Sequence, residues 1–116
     1  MFDRVLTVDW SGRSKPSPVA PCADAIFICY GDQFTLSHPI YHRTRQSAMD
    51  YIHTVVETAR DQKGTTLIGF DFSFGYPRGF AEHLTGSRDI RSLWRCLGDR
   101  IQDDAQNGNN RFQVAS

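Results

Sequence analysis

Several signatures are missing from this 116-residue chain, and each absence narrows the reading. There is no charge excess: 13 Lys and Arg stand against 13 Asp and Glu. A chain without a global field has no compositional support for non-specific binding to nucleic acid or to a membrane surface. No apolar run approaches the roughly 20 residues of a membrane-spanning helix, and the start, Met1-Phe2-Asp3-Arg4, lacks the apolar core of a signal peptide. A cytoplasmic protein with no membrane partner is the expectation. Cysteine is scarce and odd in number: Cys22, Cys29 and Cys96 show no CxxC spacing. That argues against a disulfide framework or a thiolate metal site. The four histidines, His38, His42, His53 and His83, make no zinc-binding spacing. Cys29, inside an apolar run, is expected in the core, and all three thiols are read as structural.

What remains is the mix of an ordinary folded domain, 40% hydrophobic and 22% charged. The length corresponds to one domain or part of one. Val5-Leu6-Thr7-Val8 is a short run rich in β-branched residues, read as a strand buried on both faces. Residues 13–21 hold three of the five prolines and form a loop. Ala25 to Tyr30 is a second strand, Gly31-Asp32 a turn, and Phe34-Thr35-Leu36 the start of a third, antiparallel strand. The period then changes to that of a helix. Ala48, Ile52, Val55, Val56 and Ala59 share one face, with Thr44 as cap and Lys63-Gly64 as stop. Thr65 to Phe70 is a fourth strand. An aromatic loop of Phe72, Phe74 and Tyr76 leads to a short helix near Phe80, and Ile90, Leu93, Trp94, Leu97 and Ile101 mark a further helix ended by residues 107–110. Trp94 is expected in the core.

The order is β-β-β-α-β-α-α, an α/β or layered α+β architecture. A helical crossover places the fourth strand parallel to an earlier one. Two strands end in the same way, Asp9-Trp10-Ser11 and Asp71-Phe72-Ser73. If the first and fourth strands are parallel neighbours, both carboxylates emerge at the carboxyl edge of the sheet, where open α/β sheets bind ligands. Carboxylates so placed repel unless a proton or a cation intervenes, and Mg²⁺ or Mn²⁺ would serve. The plain alternative makes each Asp a turn residue bonded to nearby backbone.

The order of strands, helix and aspartates resembles the ribonuclease H-like fold. Ile68-Gly69-Phe70-Asp71-Phe72-Ser73-Phe74-Gly75-Tyr76-Pro77 looks like the strand, Asp, Phe-Gly-x-Pro signature of an uncharacterised family of predicted nucleases, and Val8-Asp9-Trp10-Ser11-Gly12 is similar to its first motif. The resemblance implies a metal-dependent phosphodiesterase with Asp9 and Asp71 as catalytic, metal-binding carboxylates and nucleic acid or nucleotide as partner. Ser11, Gly12, Arg13, Ser73 and Arg78 are candidate phosphate or substrate contacts. Members of that family also carry loose cofactor-biosynthesis labels, which nothing in these residues supports. Such nucleases commonly add acids from the crossover helix and a later strand. Here Asp50 and Glu57 fall on the outer side of the helix, and the domain reads as an N-terminal portion that stops before a fifth strand. The alternatives are a non-catalytic nucleotide- or phosphate-binding module of the sugar-kinase and actin type, using Ser11-Gly12-Arg13-Ser14, and a catalytically silent scaffold. His42, Arg43 and Arg45 read as a solvated basic turn, with phosphate binding as the sharper alternative.

Overall fold

A computed structural model describes residues 1–73 and 75–114. The chain divides into two compact units, Met1–Asp71 with Ala105–Gly108, and Phe72–Asp104 with Asn109–Ser116. The first contains a mixed four-stranded sheet of β1 (Arg4–Asp9), β2 (Ile26–Asp32), β3 (Ile40–His42) and β4 (Thr66–Phe70), with helix α1 (Arg45–Asp61) between β3 and β4. The second contains helices α2 (Phe80–Thr85), α3 (Ile90–Arg100) and α4 (Arg111–Val114). The class is α+β. No helix among the described residues is long and apolar enough to cross a membrane.

The sheet order is β3-β2-β1-β4. β1 pairs antiparallel with β2 and parallel with β4, in register from Arg4–Thr66 to Val8–Phe70. Alternation along the strands then sorts the side chains. Leu6 and Val8, with Ile26 and Ile28, are buried and pack with Ala48 and Ile52 of α1; Ile68, Phe70 and Trp10 close in around them. Trp10 and Phe70 meet edge to face at 6.0 Å. The opposite face carries Val5, Thr7 and Asp9, then Phe27 and Cys29, then Leu67 and Gly69. Most of these are exposed and the rest half-buried. β1 is therefore buried on one face, not two. Cys29 lies on the open face rather than in the core.

The third strand is not where the apolar triplet predicts. Asp32 draws the chain into a tight turn, its carboxylate accepting from the Phe34 and Thr35 amides at 2.9 and 2.8 Å. Leu36 makes one bridge to Gly31, and Phe34 and Leu36 stay in solvent. Pairing resumes only at Ile40–Ile28, a register one residue out of step with Gly31–Leu36. Pro39, which has no N–H to give the ladder, sits at the slip.

Helix α1 starts as expected: Thr44 is its N-cap and accepts from the Ser47 amide at 3.1 Å. The basic turn at its start is exposed only at Arg43, not at His42 or Arg45. Arg45 is 8% exposed. Its guanidinium donates to the Arg13 carbonyl at 2.7 Å and the Asn107 carbonyl at 2.8 Å. Its amide donates to Asn107 Oδ1 at 2.8 Å. Asn107 is buried with φ of 68°, and its amide group reaches the Lys15 carbonyl at 3.2 Å. One asparagine thus ties residues 105–108 to the proline-rich loop and to the start of α1. His42 is also buried, its Nδ1 2.9 Å from Ser47 Oγ and its Nε2 without a partner among the described residues.

In the second unit, α3 ends at Arg100 rather than running on to residues 107–110. Asn110 still closes it, donating from Nδ2 to the Arg100 carbonyl at 2.9 Å and accepting from the Gln102 amide at 2.7 Å. Leu93 is the buried residue of α3, while Trp94 is 44% exposed and not a core residue. Tyr76 and Phe80 stack at 5.4 Å. Phe74 of the aromatic loop lies outside the described residues.

Two outcomes follow from these contacts. Arg45→Met leaves the Arg13 and Asn107 carbonyls short of donors and costs about 3 kcal/mol in urea unfolding. Asn107→Ala, which also forces a left-handed backbone on a residue that carries a Cβ, costs more than Asn107→Gly, by about 1 kcal/mol. The buried His42 ring has its pKa below the ordinary 6.5, because burial disfavours the charged imidazole. The unfolded chain then binds the proton more readily, so stability is full above pH 6.5 and falls as acid is added below it. His42→Gln flattens the decline in urea midpoint between about pH 7 and pH 5.

Candidate functional site at the ends of two parallel strands

The register of β1 and β4 decides where the two aspartates go. Val8 pairs with Phe70, and the Asp71 amide donates to the Val8 carbonyl at 3.2 Å. Continuing one residue sets Asp71 beside Asp9 at the carboxyl ends of neighbouring parallel strands. Both share the parity of Thr7 and Gly69, so both belong to the open face. Asp71 is further held by the chain leaving β1: its Oδ1 accepts from the Trp10 amide at 2.8 Å. That bond ties the ends of β1 and β4 together across 61 residues of chain and is not the local turn bond expected of a lone Asp at a strand end. It occupies one oxygen of one carboxylate.

The Asp9 carboxyl titrates above its ordinary value of 3.8. Partial desolvation contributes most, then a hydrogen bond with Asp71, then the charge of Asp71. The pair therefore favours a state in which a proton, or another positive charge, lies between the two groups. Beside it on the open face is a shallow hollow of about 680 Å³, lined by both aspartates, Thr7, Phe27, Cys29, Pro39 and Gly69 among others.

The remaining candidates are placed differently. Ser11 is buried, and its hydroxyl is engaged with the Asp24 carbonyl at 3.5 Å and the Arg13 amide at 3.4 Å. Arg13 faces the Asp24 carboxylate at 3.6 Å. A phosphate-cradling loop of free amides at Ser11-Gly12-Arg13-Ser14 loses its Arg13 amide to that bond, while Gly12 is exposed. Ser73 and Arg78 belong to the second unit, where Arg78 lines a hollow with Glu82 and Arg88. Asp50 is exposed and accepts from Gln46 Nε2 at 2.7 Å, and Glu57 is exposed on the outer side of α1. Arg88 stands 3.0 Å from Glu82 and Arg91 3.1 Å from Asp89. Among the described residues, no three His, Cys, Asp or Glu side chains converge to hold a metal. Two carboxylates fit one Mg²⁺-like ion completed by water and substrate oxygens, and not a two-ion clamp.

Phe27, Cys29 and Pro39 had no functional signal in the sequence. Phe27 and Cys29 look like ordinary strand residues, and only the pairing partners reveal that they flank Asp9 and Thr7.

The repulsion has a consequence for stability. Because Asp9 is harder to ionise in the fold than in the unfolded chain, the pair stabilises most in acid, and that contribution is lost as pH rises through the raised pKa. Asp71→Asn keeps an Oδ1 acceptor for the Trp10 amide and removes the like charge. Its urea midpoint at neutral pH exceeds that of the wild type, and the difference shrinks when both are measured near or below pH 3.8. Comparison with protein-family models, with curated proteins and with solved structures finds no match to this chain.

Proposed function

We infer that this chain is a divalent-metal-dependent phosphodiesterase of ribonuclease H-like fold. One observation carries the reading: two carboxylates, Asp9 and Asp71, stand side by side at the carboxyl ends of parallel strands, with Asp9 made harder to ionise first by desolvation and then by Asp71. The order of elements agrees with it, an antiparallel β1–β2–β3 run followed by a helical crossover to β4 beside β1. Asp9 and the oxygen of Asp71 not bonded to Trp10 would hold one Mg²⁺ or Mn²⁺. A bound ion of this kind supplies positive charge to a phosphoryl oxygen and makes a bound water more acidic.

The protein's own contribution is placement. The Trp10 amide fixes the Asp71 carboxylate, and the Arg45 and Asn107 bonds anchor the loop that follows Asp9. Both acids are thereby held on rigid strand ends, as a site requires. With only two acidic ligands, substrate oxygens complete the coordination, so metal and substrate bind with positive coupling. Nucleotides or nucleic acid are the partners of this reading. The competing account makes Asp71 structural only, an acceptor that ties the end of β4 to the Trp10 amide at the end of β1.

Mn²⁺ titration separates the two. The reading expects Mn²⁺ to raise the melting temperature of the wild type and to support cleavage of a fluorescent single-stranded oligonucleotide. Asp71→Asn and Asp9→Asn each reduce cleavage by about 100-fold or more, since a charge-stabilising ion is lost with either ligand. Unchanged melting in Mn²⁺, or cleavage by Asp71→Asn at the wild-type rate, leaves Asp71 a structural residue alone.

A further inference from the structure

The hollow beside the aspartates has a floor and walls of different kinds. Across the sheet, Thr7 pairs with Cys29 on one side and Gly69 on the other. This row of small residues runs over three strands, about 10 Å of sheet at ordinary strand spacing. The next row toward the carboxyl ends is tall and different in character, with Phe27 opposite Asp9 and Asp71 beyond it. Pro39 adds a rigid apolar wall, and Phe27 is itself held against Tyr41 at 5.3 Å. The volume, about 680 Å³, is within the range of small-molecule sites. All of these residues belong to the first unit.

Its charge is as informative as its shape. Two carboxylates line the hollow, and no Lys, Arg or His is among the described residues that do so. A polyanionic backbone finds nothing there to follow. A flat apolar group does find a floor, beside an acidic edge that accepts phosphate only through a cation. We propose that the open face of the sheet beside Asp9 and Asp71 is a recess for one unstacked nucleobase, so that the substrate is the terminal nucleotide of a single strand, not a duplex, and a mononucleotide is the product that stays bound to the same recess. This deepens the phosphodiesterase reading and rests on it for the phosphate. The base is gripped by shape and by contact with the Phe27 side chain, interactions that every base offers, so selectivity among bases is low. A paired base is stacked on both sides and cannot lie flat on the sheet without being unstacked first.

Gly69 is the means of testing it. A Cβ there meets only the Leu6 carbonyl at 4.0 Å, so Gly69→Val fits the fold while filling the floor of the recess. The measurement is calorimetric binding of AMP and of ribose 5-phosphate, each with Mn²⁺, and of adenosine without metal. AMP is expected to bind at least about tenfold more tightly than ribose 5-phosphate, the scale of one base–aromatic contact. Gly69→Val is expected to erase that ratio and leave ribose 5-phosphate unaffected. Equal binding of AMP and ribose 5-phosphate by the wild type, or a ratio that survives Gly69→Val, overturns the recess while leaving the metal site standing. Adenosine binding that Gly69→Val abolishes, with no Mn²⁺-dependent binding of either phosphate, keeps the recess and removes the phosphodiesterase. Binding of none of the three ligands overturns both.

Discussion

The parallel pairing of β1 with β4 is the constraint on which the site depends. It does not follow from local sequence, since the two strands are separated by a hairpin and a 17-residue helix. Once formed, it sets one register, and in a sheet a register is a statement about faces. A slip of one residue would turn Asp71 toward α1 and bury a carboxylate among Leu6, Val8 and Ile28. Burial of an unpaired charge there is costly enough to forbid the alternative. The apolar residues of β4 and the acid at its end therefore enforce the same register. The ladder is then extended by a side chain, where Asp71 takes the Trp10 amide that no β4 carbonyl remains to accept.

A second consequence follows from covering the sheet on one face. Packing of α1 on the face of Leu6, Val8, Ile26 and Ile28 gives the unit its core, and it frees the other face from the need to be apolar. That freedom is visible in the residues there: Thr7, Cys29 and Gly69 in one row, Asp9 and Asp71 in the next. The loops around the site are less free. Arg45 and Asn107 replace what a larger core would supply, using charge-assisted bonds to backbone carbonyls to fix the chain leaving β1. Rigidity at the strand ends is thus built from polar groups, and the apolar core is kept for the sheet and helix.

Residues with a strong local signal were legible in the sequence. The face of Ala48, Ile52 and Ala59, the Thr44 cap, and the strand of β-branched and apolar residues before Asp71 all reappear as helix and strand. What escaped was decided by distant partners. Phe34-Thr35-Leu36 has the composition of a strand, yet the carboxylate of Asp32 captures its amides first and Pro39 delays pairing. Arg45 looks like any helix-start cation, and only Asn107, some sixty residues on, makes it a buried hub. Val5-Leu6-Thr7-Val8 has the composition of a strand buried on both faces because it is apolar throughout except at Thr7. That single polar residue was the available sign of an open face.

The zero net charge acquires a local meaning from these placements. Three arginines stand against acids, Arg13 with Asp24, Arg88 with Glu82 and Arg91 with Asp89, and Arg45 lies among carbonyl oxygens. The strand ends stand apart, because there two like charges face one another across a parallel pair. The potential at that edge is negative, and it repels an anionic substrate for as long as the pair is bare. On the phosphodiesterase reading proposed above, a divalent cation between the two carboxylates would cancel their charge, so that approach of a phosphate would be conditional on the metal, while an apolar recess beside the pair would work in either state.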